Sequence, residues 1–115
     1  MAPAIAVCAS VTHVDVRGNS IAGEGASSLS AAVLGNTMIE VFNEMPIKEM
    51  RADSLTELDL NGKGIGVEGG MVVASLLPAM TSLTHLDVQF NSLGEEGEAV
   101  LRKAVEGRSG LELKL

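Results

Sequence analysis

His13, Glu57 and His85 are the side chains whose types suit a metal ion, since imidazole and carboxylate are common zinc ligands. Asp15, Asp59 and Asp87 stand two residues after each of them and form a second, acidic file. Hydrolysis would instead need a nucleophile with its base in reach. The Ser and Thr residues near these histidines fall on different strands, so no such pair is expected. A third candidate is the glycine-rich run "GKGIGVEGG", residues 62–70. It holds Gly-x-Gly-x-x-Gly at 64–69 but lacks the order of a phosphate loop, because Lys63 comes early and no Gly-Lys-Ser/Thr follows.

Each of these groups belongs to a pattern written three times. Residues 11–25 read "VTHVDVRGNSIAGEG", residues 55–69 "LTELDLNGKGIGVEG" and residues 83–97 "LTHLDVQFNSLGEEG". The starts are Val11, Leu55 and Leu83. Three residues on stand Val14, Leu58 and Leu86; five on, Val16, Leu60 and Val88; ten on, Ile21, Ile65 and Leu93. Asn19, Lys63 and Asn91 share the eighth column. Gly25, Gly69 and Gly97 share the fourteenth, each after a glutamate.

Positions three and five alternate with polar neighbours, which predicts a short strand with one buried face. The asparagine column can bond backbone groups in the following turn. Glycine at position fourteen lets a helix start pack closely. Beyond it, Leu29 and Val33, Val73 and Leu77, and Leu101 and Val105 are four apart and lie on one helix face, with Ala32, Leu76 and Ala104 beside them. No single strand–turn–helix unit can bury its own apolar face, so stacked units must form the core.

These residues resemble leucine-rich repeats, with the pattern Leu-x-x-Leu-x-Leu-x-x-Asn-x-Leu. The 28-residue step from Leu55 to Leu83, the Gly-x-Glu-Gly segment and the full helix resemble the ribonuclease-inhibitor subfamily. The resemblance implies an α/β solenoid, a horseshoe arc with a parallel inner sheet of about five strands and helices outside. It implies a protein partner and no catalysis. Within that subfamily are cytosolic inhibitors, activators of small GTPases and sensing arms of immune receptors.

Two departures stand out. Lys63 replaces asparagine in the second full unit. The step from Val11 to Leu55 is 44 residues and contains "NTMIEVFNEMPIKEMRADS", residues 36–54. This segment reads as a shortened unit, with Ile39 and Val41 inward and Pro46, Ile47 and Met50 making a compact return. Such a return would change the local curvature. A loop inserted between full units is the alternative. Leu111, Leu113 and Leu115 alternate in a final strand, residues 111–115. The chain reads as one domain or as part of a longer array, able to self-associate through an uncapped end.

Residues two, four and six places into each unit point away from the core and line the concave face. They are His13, Glu57 and His85; Asp15, Asp59 and Asp87; Arg17, Asn61 and Gln89. Glu40 is expected beside the aspartates and Phe42 beside the last file. The strand of the short unit separates His13 from Glu57 and His85, which argues against a metal site. Gly66 and Gly69 match Gly94 and Gly97, so the repeat accounts for the glycine run without a nucleotide. No catalytic, cofactor or metal residue is assigned. The concave files and Phe42, with Phe90 as the other aromatic, are the expected protein-binding residues.

Composition narrows the partners. The 115 residues are 46% apolar, enough for one small core, with two Phe and no Tyr or Trp. Stacking platforms for single-stranded nucleic acid are nearly absent. A net charge of −7 disfavours nucleic acid and anionic membranes and permits a basic protein. The single cysteine, Cys8, excludes an intrachain disulfide, favours a cytoplasmic setting and reads as a buried structural thiol. The apolar opening lacks a preceding basic residue and is broken by Pro3, unlike a secretory signal.

Overall fold

Short strands arise where a buried residue stands between two polar ones. Strands β4 (Glu57–Asp59) and β5 (His85–Asp87) are three residues each, with Leu58 and Leu86 buried at their centres. Strand β1 is His13–Val14, β2 is Val41–Phe42, β3 is Met45–Pro46 and β6 is Glu112–Lys114. Helices follow the turns: α1 Gly23–Gly35, α2 Ile47–Arg51, α3 Gly66–Leu76 and α4 Gly94–Val105. A 3-10 turn, Leu77–Ala79, prolongs α3. These elements come from a computed structural model that describes residues 12–17, 23–106, 108 and 110–115. Cys8, Val11, Asn19 and Ile21, to which the sequence assigns roles, lie outside the described residues.

The helices stack α1 on α3 and α3 on α4. Leu29, Val33, Val73, Leu77 and Leu101 from the helix side and Leu58, Leu60, Leu86 and Val88 from the strand side are all buried. The core between them is aliphatic apart from Phe42 and three methionines. Glycine sets the helix spacing. A Cβ on Gly70 would lie 3.0 Å from Leu93 Cδ2 and 3.6 Å from Gly97 Cα. Gly69 and Gly97 are also needed within their own units. A Cβ there would meet Ile65 Cβ at 2.6 Å and Leu93 Cβ at 3.0 Å, since each tenth-column residue folds back over its helix start.

Two arginines close the helix ends. Arg51 donates to Val33 O at 2.9 Å and to Asn36 O at 3.2 Å. Arg108 donates to Leu77 O at 2.7 Å and to Met80 O at 2.9 Å. Each places a cation on the orphan carbonyls of a preceding helix, where the helix dipole favours positive charge.

The strands do not form one parallel sheet of about five. They form two sheets of three, ordered β1-β2-β3 and β4-β5-β6. The second sheet is parallel throughout. In the first, β1 and β2 are parallel, and β3 turns back antiparallel to β2. Both edges of β2 are therefore taken, and β4 begins a new sheet. The hairpin uses Asn43 at φ 50° and Glu44 at φ 67°. Two successive left-handed residues are the signature of a tight two-residue turn.

The short unit also shifts register. Val14 pairs with Phe42 and His13 with Val41, so Val41, expected inward, shares the concave file of His13 instead. Phe42 is 0% exposed and fills the core position of Leu58 and Leu86, so it is not on the concave face. Glu40 does not join the aspartates; its N–H donates to Thr12 O at 2.7 Å, one step before the strand. A one-residue slip moves every side chain to the opposite face. Ile39, Met45, Ile47 and Met50 are fully buried, which leaves α2 as a five-residue return. The unit thus adds strands to one layer and almost no helix to the other.

Candidate interaction face

The second sheet brings the polar files side by side. Glu57, His85 and Glu112 are in register, as are Asp59, Asp87 and Lys114. Parallel neighbours lie about 4.8 Å apart, so each file is a ladder. His85 Nε2 is 3.2 Å from Glu112 Oε2, and its Nδ1 is 3.0 Å from Thr84 Oγ1, so a hydroxyl does stand beside this histidine, from the adjacent residue, where the sequence placed Ser and Thr on different strands. These six side chains surround a shallow depression of about 200 Å³. Four carboxylates against one lysine make it acidic.

The aspartates have a local task as well. Asp15, Asp59 and Asp87 each accept, through Oδ1, the backbone N–H two residues on, at 3.0 Å in every unit. Each carboxylate ties the strand end to its turn, as Asx side chains do. Asn61 Nδ2 also donates to Asp87 Oδ2 at 3.3 Å. The file is therefore part of the scaffold: Asp15 Oδ2 and Asp87 Oδ2 are also engaged, by Arg17 and Asn61, and Asp59 Oδ2 is the second oxygen that faces solvent without such a bond.

His13, Asp15 and Arg17 stand apart on the first sheet. There Val41 takes the place beside His13, and a separate depression of about 220 Å³ lies among His13, Asp15, Val41 and Glu44. Arg17 Nη2 lies 2.8 Å from Asp15 Oδ2 and 3.1 Å from Glu44 Oε1, and Nη1 donates to Lys63 O at 2.9 Å. Hydrogen bonds from the Arg17 side chain and backbone hold the Asp15 carboxyl below its usual range. Arg17 thus ties the first unit to the hairpin and to the next turn. Among the described residues no three His, Cys, Asp or Glu converge as a metal site.

Asparagine carries the polar interior. Asn91 is buried; its Oδ1 accepts from Lys63 N at 3.0 Å and Ile65 N at 3.3 Å, and its Nδ2 donates to Leu60 O at 2.7 Å and Gln89 O at 3.1 Å. One side chain satisfies four backbone groups, three of them in the preceding unit. Asn43 does similar work, which the sequence reading missed. It accepts from Val16 N at 2.9 Å and donates to Ile65 O at 3.1 Å, bridging the two sheets. Its second N–H reaches Glu68 Oε2 at 3.4 Å. Burial pushes the Glu68 carboxyl above its ordinary value.

Phe90 differs from Phe42. It is 82% exposed and sits at φ 59°. It borders a groove of about 300 Å³ with Leu93, Glu98 and Leu115. The glycine run 62–70 is the equivalent turn one unit earlier, and its left-handed Gly62, Gly64 and Gly66 match Phe90, Ser92 and Gly94. Glu112 and Lys114 also escaped the sequence reading. The available signal was their position 27 residues after His85 and Asp87.

Repeated strand–turn–helix units with asparagine-held turns define the class, and comparison with known families agrees. A family model described as Leucine Rich repeat matches residues 7–30, 53–74 and 79–97, more than half of the chain. The chain belongs to the leucine-rich repeat family. No curated protein and no solved structure gave a significant match. Leucine-rich repeats generally serve as non-catalytic protein–protein interaction modules. No described helix is long and apolar enough to cross a membrane.

Proposed function

We propose that this chain is a non-catalytic binding module that takes a basic segment of a partner protein on the concave face of β4–β6. The observation that carries this is the registered pair of files, Glu57–His85–Glu112 and Asp59–Asp87–Lys114, around one acidic depression. Acidic potential on one face steers cationic partners and rejects anionic ones. His13, Asp15 and Arg17 form a secondary surface, since Arg17 is occupied by Asp15 and Glu44. Asn61 and Gln89 extend the face at the strand ends.

The finer assignment to the ribonuclease-inhibitor type, as arcs of a solenoid, is supported by the 28-residue offset between Leu58 and Leu86 and by helices of 11 to 13 residues in the full units. An intracellular partner accords with the single cysteine. No described residue favours regulation of a small GTPase, or service as a spacer, over this reading.

Glu57 is the cleanest lever, because it is exposed and holds no turn. Titration of the chain with a labelled lysine- and arginine-rich peptide, beside an acidic peptide of equal length, tests the proposal. Binding of the basic peptide should weaken about tenfold with Glu57→Lys and fall with added salt. Equal affinity for both peptides would remove the concave acidic face as the site.

A further inference from the structure

Strand β6 is the outer strand of the second sheet, and its sequence is self-complementary. In "LELKL", residues 111–115, Glu112 and Lys114 flank Leu113. β6 pairs with β5 on one edge. Glu112 N–H donates to Thr84 O at 2.8 Å, and Lys114 O accepts from Val88 N at 2.9 Å. In a parallel ladder a residue's N–H and C=O point to the same neighbour. Residues 112 and 114 therefore face β5, and the N–H and C=O of Leu113 face the edge on which no other described strand pairs. An open row of this kind is a template for another strand.

We infer that a second copy of this chain pairs antiparallel along β6, with the two-fold axis at Leu113. That register sets Leu113 against its own copy, so that the two residues exchange both hydrogen bonds. It sets Glu112 opposite Lys114 of the copy and Lys114 opposite Glu112, two opposite-charge cross-strand pairs on the concave side. Leu111 comes opposite Leu115. Leu111, Leu113 and Leu115 are half-buried against the edge of the core, and their counterparts complete that layer. Leu115 also borders the groove under Phe90, so Leu111 of the copy arrives beside the most exposed large apolar side chain among the described residues. The interface is isologous and closes at two copies. The two three-stranded sheets become one of six, and the two acidic depressions lie on a shared surface.

The charge pattern supplies the test. Sedimentation of the full chain over a concentration series should show a monomer–dimer equilibrium. Lys114→Glu alone should weaken the dimer about tenfold or more, since two attractive pairs become two repulsive ones. Glu112→Lys alone should do the same. Mixing the two single variants should restore a dimer, because every like-charge contact then becomes an opposite one, and this recovery also shows that both variants are folded. A chain that stays monomeric at all concentrations overturns the inference. So does a dimer indifferent to Lys114→Glu, or a mixture that does not recover.

Discussion

The turn after β4 and the turn after β5 follow the same backbone with different residues. In the first, Gly62, Gly64 and Gly66 hold φ of 67°, 67° and 71°; in the second, Phe90, Ser92 and Gly94 hold 59°, 53° and 67°. Glycine reaches this region freely, whereas a side chain there is strained. The first turn is relaxed but lacks its own asparagine, and it is held from outside by Asn91. The second turn carries that asparagine together with two strained side chains. The neighbouring units divide the work: one supplies the unstrained glycine turn, the other the clamp and the exposed Phe90.

Breaking the clamp has the largest expected effect. Asn91→Ala strips Ile65 N of its partner and leaves Lys63 N and Leu60 O only their 3.3 Å bond to each other, and stability should fall by about 3 kcal/mol in urea denaturation. Gly69→Ala and Gly97→Ala come next and sharpen the contrast between units. The closer approach to Ile65 makes Gly69→Ala the worse of the two, at about 1–3 kcal/mol, while Gly97→Ala should cost less. The thermal midpoints of both variants, measured side by side, give that order or refute it.

Exchanging the turn residues isolates backbone strain. Phe90→Gly should stabilise by about 1 kcal/mol, and Gly62→Phe should destabilise by a similar amount. Space is not the issue at Gly62, where a Cβ would meet nothing within 4 Å. Opposite shifts in denaturation midpoint are the expected reading, and shifts of one sign would break the equivalence of the turns.

The smallest effect separates the two glutamates that precede the helix glycines. Glu68 is buried and its carboxyl is raised by burial, while Glu96 is exposed. A carboxyl raised in the folded state stabilises the fold below its unfolded value and loses that contribution as pH rises through the folded value. Glu68→Gln should therefore be more stable than the parent at neutral pH, with the advantage gone below about pH 4, near the unfolded value. Glu96→Gln, followed by the same denaturation series, should show no such crossover.

The full units were legible because their pattern is local. Leu58, Leu60, Leu86 and Val88 alternate with polar residues, and Val73, Leu77 and Leu101 keep helical spacing, so their burial follows from period alone. Asn91 was legible as a turn residue from its column. The short unit was not. In "VFNEMP" only Asn43 is a type that favours the left-handed region, and nothing announces that Glu44 follows it there. Without that turn the strand slips by one residue, and Phe42 moves from core to surface. The aspartates were visible as a file, but their grip on the turn N–H groups depends on where the backbone goes after the strand.

The sequence by itself determined the repeat, the inward side chains of the full units, the helix-facing glycines and the acidic balance. These depend on residue type and spacing within one unit. Tertiary structure alone decided that β3 would close the first sheet, that Asn43 would bridge the two sheets, and that Glu112 and Lys114 would join the files of Glu57 and Asp59. Each of those outcomes is a pairing between distant segments. Pairing register is set by turn geometry and by which edge is already occupied, and neither is written at the positions that end up side by side.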